Sequence, residues 1–243
     1  MYHGDNKFMW LLLPLALVLG ICWVLWEKHY EKRGNEPMVN LGLLKLHSFG
    51  FGTAISGIMF MGSTSVFSTL AIYLQNGQHF SALSAGLVGL GGAVTSAITA
   101  YLSGNHSLEH GRAICISSLA AMVIGMVTAI AVIYFNGMHG LNIWWLFGSF
   151  AIVGLGQGAF GSANQTIAML DVPPREGGTA GAFKQTAERV ATAIGNAIMT
   201  GILFSVLATT NWNHAITTAF MAITVVVTVA LVLQVLDYCK AKA

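Results

Sequence analysis

In the stretch Gly178 to Gly201, GTAGAFKQTAERVATAIGNAIMTG, the ionisable side chains Lys184, Glu188 and Arg189 interrupt a run otherwise apolar and Ala/Gly-rich enough to cross a bilayer. A charge at membrane depth is costly, so such residues default to transport, proton relay or ion pairing. At ~100° per residue, Lys184, Gln185, Glu188, Arg189, Thr192 and Asn196 fall within an arc of about 140°. This predicts one polar stripe on a lipid-compatible helix. With the hydrocarbon starting near Gly178, a rise of ~1.5 Å per residue sets Glu188 and Arg189 roughly 15 Å deep, near the middle of a ~30 Å core. Burial and a neighbouring cation pull a carboxylate's proton affinity in opposite directions. Glu188 is therefore the candidate proton- or cation-sensitive group, with Lys184 and Arg189 setting the balance. Lys184 and Glu188, one turn apart, make the better ion pair, because the adjacent Glu188 and Arg189 point about 100° apart. Two readings stay open: a cavity-facing site, and a pair that holds this helix against its neighbours.

A second polar stripe precedes it. Around Gln157, the residues Gly154, Gly158, Gly161, Asn164 and Gln165 occupy an arc of roughly 120° on one helix. Gln157, Asn164 and Gln165 can offer hydrogen bonds to a substrate in a wet cavity. They can equally bond to a neighbouring helix, since small and polar residues in spanning helices serve both ends. Gly86, Gly89, Gly91 and Gly92, preceded by Ser81 and Ser84, read first as a close helix contact.

The elements that must position these groups follow from composition. The 243 residues are 55% hydrophobic and only 8% charged, against about 25% charged in a soluble domain. This predicts an all-α polytopic membrane protein, because lipid leaves no partner for an open strand edge. Seven segments are long enough to span: Phe8–Trp26, Ser48–Gln75, Ser81–Ser103, Arg112–Phe135, Ile143–Leu170, Gly178–Leu207 and Ala215–Leu236. The mixed-charge stretch with Gly34 and Pro37 divides them into a linker transmembrane helix (1–26), a cytoplasmic linker (27–47) and a six-helix block (48–243). Lys28, Lys32, Arg33, Lys45, Arg112, Arg175, Lys240 and Lys242 fall on one side and only Lys7 on the other. The positive-inside rule then sets the N-terminus outside and the C-terminus in the cytoplasm of a plasma membrane. The fourth and seventh segments carry no charge inside the membrane and read as lipid-facing or structural. The second, third, fifth and sixth are rich in Gly, Ser, Thr, Asn and Gln.

Other chemistries find little support. Basic residues are scattered among apolar segments, which excludes a nucleic-acid footprint. Cys22, Cys115 and Cys239 are far apart and suggest neither a disulfide framework nor a metal cluster. His106-Ser107-Leu108-Glu109-His110 fits H-x-x-E-H, an inverted zinc-protease pattern. That chemistry needs a helix and a further ligand, whereas these residues sit in a short polar turn between Gly104 and Gly111 and read as a solvated loop.

By the fifth and sixth segments several phrases stand in order: EPMVNLGLLKLHSFGFG, IYLQNGQHFSALSAGL, GLGQGAFGSANQT, VPPREGGTAGAF and QTAERVATAIG. Together they resemble the C-terminal half of the fourteen-helix drug:proton antiporter branch of the major facilitator superfamily, over nearly the whole chain. The resemblance implies that Asn164, Gln165 and Thr166 form the family's Asn-Gln-Thr element, and that Gln185, Thr186 and Arg189, followed by Thr192 to Gly195, form its Gln-Thr-Arg helix. Many relatives have Gln where this chain has Glu188. It further implies that the second and fifth helices line a central cavity, the third and sixth flank it, and the fourth and seventh lie outside. The family's cytoplasmic latch loop, a Gly, Asp, Arg and Gly-Arg pattern, reads here SGNHSLEHGR. Only Gly104, Gly111 and Arg112 are in register, and His106 and His110 stand for charged partners.

The expected function is proton-coupled export of small amphipathic or cationic compounds, driven by the proton gradient without a cofactor. The resemblance starts at the family's second central helix, which implies a truncated or split half and a separate N-terminal six-helix bundle as partner. The alternative is a non-transporting membrane remnant or structural subunit.

Overall fold

The computed structural model describes residues 14–16, 18–22, 24–26, 29 and 41–242. The described residues contain helices and no strand. Contacts divide the chain into Met1–Gly42 and Leu43–Ala243. In the first unit an apolar helix, α1, covers Pro14–Trp26 and is shorter than the six that follow. The expected start of that helix at Phe8 and most of the expected linker, including Gly34 and Pro37, lie outside the described residues.

The second unit contains six helices long and apolar enough to cross a membrane. They are α2 (His47–Ile72), α3 (Ala82–Gly104), α4 (Ser107–His139), α5 (Leu146–Ala168), α6 (Gly177–Leu207) and α7 (Trp212–Lys242). Local signals set their ends. Ser81 caps α3 by accepting from the Ser84 N–H, and Asn211 caps α7 by accepting from the His214 N–H at 3.0 Å. Gly140 ends α4 in a left-handed conformation, φ 66°, which glycine adopts without a Cβ penalty. A π-helical turn, Tyr73–Gly77, extends α2.

Helix α5 packs against α3 and α4, and α2 packs against α6 and α7; α2 with α5 and α4 with α7 close the bundle. The pairing repeats itself. α3 sits on α5 as α6 sits on α2, and α4 on α5 as α7 on α2, so two three-helix halves are related by a pseudo-two-fold pattern. In the most apolar window of each span, α2 and α5 bury half their residues, α3 only 22% and α6 only 17%. The middle positions therefore belong to α2 and α5. Helices α4 and α7 are less lipid-facing than the absence of charge in their central stretches suggests: Leu119, Met122 and Met126 of α4 and Phe220, Ile223 and Val227 of α7 are core residues.

Small residues decide how closely helices approach. A Cβ on Gly154 would lie 2.1 Å from the Gly92 carbonyl oxygen, and one on Gly158 2.0 Å from that of Ser96. Those two glycines are the α3–α5 contact. Gly161, on the same stripe, faces open space, as do Gly86 and Gly89 of α3. The two glycine stripes read from sequence thus each divide into a packing part and an open part.

Two expected boundaries are corrected. The HSLEH stretch is not a loop, because α4 begins at Ser107, well before Arg112. The Ser107 hydroxyl donates to the Ser103 carbonyl at 2.5 Å, and the chain reverses within one turn; His110 breaks the helical backbone inside α4 (φ −124°, ψ 15°). Likewise α7 runs past Leu236 and carries Asp237, which is buried.

Candidate functional site

Helix α6 presents Ala180, Lys184, Glu188, Gly195, Met199 and Leu203 to the interior. Gly195 fixes this face. A Cβ there would lie 2.0 Å from the Met61 carbonyl oxygen, so α6 rests on α2 at its smallest residue. On the helical wheel Gly195 lies at about 20° from Lys184, midway between Lys184 and Glu188. Both side chains consequently turn inward and are buried, with 3% and 5% relative exposure.

They meet there. Lys184 Nζ donates to Glu188 Oε1 at 2.5 Å and to Gln165 Oε1 of α5 at 3.0 Å. The Ser56 hydroxyl of α2 donates to the same Glu188 Oε1 at 2.8 Å. One carboxylate oxygen thus gathers an ammonium from its own helix and a hydroxyl from α2, while the ammonium reaches α5. Burying two charges costs several kcal/mol per ion unless each is paired and hydrogen-bonded. Ser56 and Gln165 supply those additional bonds. Further along, the Ser68 hydroxyl donates to Asn196 Oδ1 at 3.0 Å, a second polar tie between α2 and α6.

The remaining sequence-derived residues separate from this pair. Asn164 is buried and does not touch this pair; its Nδ2 donates to the Gly52 carbonyl of α2 at 3.2 Å. Among the described residues its Oδ1 has no hydrogen-bond partner, and neither do the buried hydroxyls of Ser48 and Thr53. Gln157 is half-buried on the face of α5 that also carries Gly161 and the exposed Gln165. Gln185 and Arg189 are exposed. The single polar stripe expected on α6 is therefore corrected to two: Lys184 and Glu188 inward, Gln185 and Arg189 outward. Arg189 makes no ion pair or hydrogen bond among the described residues.

Sequence reading missed Ser56 and Asp237. Ser56 is one of several serines on α2 and nothing in its spacing marks it. Asp237 joins three helix ends at the basic end of the bundle: Arg112 Nε of α4 lies 3.1 Å from its Oδ2, and His47 Nδ1 of α2 lies 3.5 Å from its Oδ1. His47 in turn stacks on Phe51, with ring centroids 5.2 Å apart. Arg112, the latch residue in register, thus has a carboxylate partner, but on α7 rather than in its own loop. No group of three His, Cys, Asp or Glu side chains able to hold a metal ion occurs among the described residues.

The model of the Major Facilitator Superfamily matches residues 8–196 and, in a second overlapping match, 54–238. The chain is similar to a probable actinorhodin transporter of Streptomyces coelicolor, 27% identical over 201 residues, which is 82% of this chain and 34% of that protein. It is similar to the riboflavin transporter RibZ of Clostridioides difficile, 28% identical over 75% of this chain and 38% of that one. It is similar also to the multidrug efflux pump LfrA of Mycolicibacterium smegmatis, 26% identical over 74% of this chain and 35% of the pump. The chain spans about a third of the length of these curated relatives.

Proposed function

The chain belongs to the major facilitator superfamily, and from that premise we propose that it supplies the C-terminal bundle of a proton-coupled exporter of small amphipathic or cationic compounds. The observation that carries this reading is the buried Glu188, whose Oε1 is held by Lys184 and Ser56 at the junction of α6 with α2. The relatives named as transporters and efflux pumps support the class of activity. The matched stretch of this chain covers about a third of each relative, which supports a second six-helix bundle as partner and residues 1–26 and 27–47 as a linker helix and linker.

The mechanism follows from the geometry. With Glu188 ionised, α6 is tied to α2 through Ser56 and to α5 through Lys184 and Gln165. A proton on Glu188 removes the counter-charge of Lys184, and a buried unpaired ammonium is costly. Lys184 then moves toward a wetter partner or binds an acidic or polar group of the opposite bundle, and α6 loosens from α2. Two arrangements of α6, biased by one proton, are the two-state element that alternating access requires. Gln157, with Gly161 leaving open space beside it, and Gln165 offer amide hydrogen bonds to the substrate; Asn164 holds α5 on α2. The proton gradient is the energy source and no cofactor is used. The basic end, with Lys45, Arg112, Arg175 and Lys240, faces the cytoplasm of a plasma membrane, with the N-terminus outside.

The test is gradient-driven transport by the two-bundle protein that contains this chain, in inside-out vesicles. Glu188→Gln is expected to abolish accumulation of an amphipathic cationic dye under an imposed ΔpH. Unchanged accumulation rules the role out.

A further inference from the structure

Lys184 Nζ carries three N–H groups, and two are committed, one to Glu188 Oε1 at 2.5 Å and one to Gln165 Oε1 at 3.0 Å. The third has no hydrogen-bond partner among the described residues. On α5 the residue before Gln165 has the complementary deficit. Asn164 is 2% exposed, and its Oδ1 is unpartnered among the described residues. The orientation of that amide is fixed, because its other end meets the Gly52 carbonyl at 3.2 Å, and only an NH₂ can face a carbonyl oxygen. The unpartnered hydroxyls of Ser48 and Thr53 differ in kind. A hydroxyl can turn its hydrogen to a main-chain carbonyl of its own helix, whereas an amide oxygen must be met by a donor from elsewhere.

That donor is close at hand. The Gly52 carbonyl lies one turn before Ser56 and accepts the Ser56 main-chain N–H in the i to i−4 pattern of α2. Asn164 therefore stands beside the residue whose hydroxyl holds Glu188 at 2.8 Å. The ammonium is bounded by two consecutive amides of α5: Gln165, which it already reaches, and Asn164, next to the Ser56 that shares its counter-ion. The walls are otherwise neutral. From Ser48 to Ile72 α2 has no ionisable side chain, and neither has α5. Helix α6 itself brings Glu188 and the outward Arg189, and α4 carries one buried thiol, Cys115. Helix α7 has its ionisable groups near its ends, His214 at one and Asp237 with Lys240 at the other.

We propose that Asn164 Oδ1 is the acceptor that receives the Lys184 ammonium when Glu188 is protonated. The inference rests on the reading of Glu188 as the proton-bearing group and names the first partner that Lys184 takes. A neutral Glu188 leaves the ammonium with Gln165 alone as a firm acceptor, which is too little for a buried charge. Turning to Asn164 gives it two amide oxygens, both on α5. One proton then transfers the hold on α6 from α2 to α5, while the Asn164 NH₂ keeps its bond to Gly52.

Thermal unfolding of the purified full chain tests this apart from transport, with Glu188→Gln standing in for the protonated carboxyl. Asn164→Asp places a carboxylate where the waiting acceptor is. In the Glu188→Gln background it is expected to raise the unfolding midpoint by about 3–12 °C, the range for one hydrogen bond to a charged group in a chain of this size. In the unaltered chain it adds a second carboxylate beside Glu188 and is expected to lower the midpoint. Lys184→Met should erase the gain. A residue that only fastens α5 to Gly52 would lose the same stability in both backgrounds, since Asp has no NH₂ for that carbonyl. Asn164→Leu gives the converse, a larger fall in the Glu188→Gln background than in the unaltered chain. The proposal is overturned if Asn164→Asp lowers the midpoint equally in both backgrounds, if the chain with both Glu188→Gln and Asn164→Asp fails to fold, or if the gain survives Lys184→Met. Transport separates the two layers: unchanged uphill transport by Glu188→Gln removes the reading beneath the inference, whereas equal Asn164→Asp effects beside abolished uphill transport remove the inference alone.

Discussion

The hydroxyl of Ser56 on α2 donates to Oε1 of Glu188 on α6 across 2.8 Å, on the same oxygen that takes the Lys184 ammonium. A carboxylate that would otherwise belong to one helix is thereby shared by two.

Stability should show the pairing first. Lys184→Met leaves a buried carboxylate without its counter-charge and should cost about 3–5 kcal/mol, whereas Lys184→Met with Glu188→Leu should recover most of that loss. Thermal unfolding of the purified chain reads both. A double variant no more stable than Lys184→Met would mean that the two side chains do not compensate each other.

Ser56→Ala removes one hydrogen bond to a charged group and no charge. Its expected cost is smaller, about 1.5–3 kcal/mol, and it should be largely absent in a Glu188→Gln background if the bond depends on the carboxylate. Equal effects in the two backgrounds would contradict the contact.

Helix contact should separate two glycines of the same stripe. Gly158→Ala forces a methyl against the Ser96 carbonyl oxygen, at 2.0 Å before any shift, while Gly161→Ala projects into open space. The first should destabilise by about 1–3 kcal/mol; the second should be neutral or stabilising by up to ~1 kcal/mol from helix propensity. Comparable effects at both sites would show that α3 and α5 do not approach as described.

Sidedness can be read from cysteines. Cys239 is exposed and Cys115 buried. With Cys22 replaced by Ser, a membrane-impermeant maleimide added to intact cells should leave Cys239 unlabelled, yet label a His214→Cys variant. The reverse pattern would invert the orientation.

Much of this architecture is legible in the sequence, and the parts that are not have physical reasons. The six long helices follow from apolar length, and the Lys184–Glu188 pair follows from one helical turn. Which edge of the α6 arc faces inward does not follow from the arc. It is set by the closest approach to α2 at Gly195, about 20° from Lys184 and 120° from Arg189, and this turns Arg189 out. That glycine was the available signal. Ser56 had none, because a serine on α2 becomes a ligand of Glu188 only once α6 is laid beside it. Asp237 follows directly on the apolar run ending at Leu236, so apolar length alone ends the span before it. Its burial depends on Arg112 and His47, which reach it from 125 and 190 residues away in sequence.

The central claim is that the proton acts through Glu188. Its most direct test compares two modes of the two-bundle protein in proteoliposomes: substrate exchange at equal pH, which needs no net proton movement, and uphill transport under ΔpH. For Glu188→Gln, exchange should persist and uphill transport should fall to the level of empty liposomes. Uphill transport at the unaltered rate would contradict the claim.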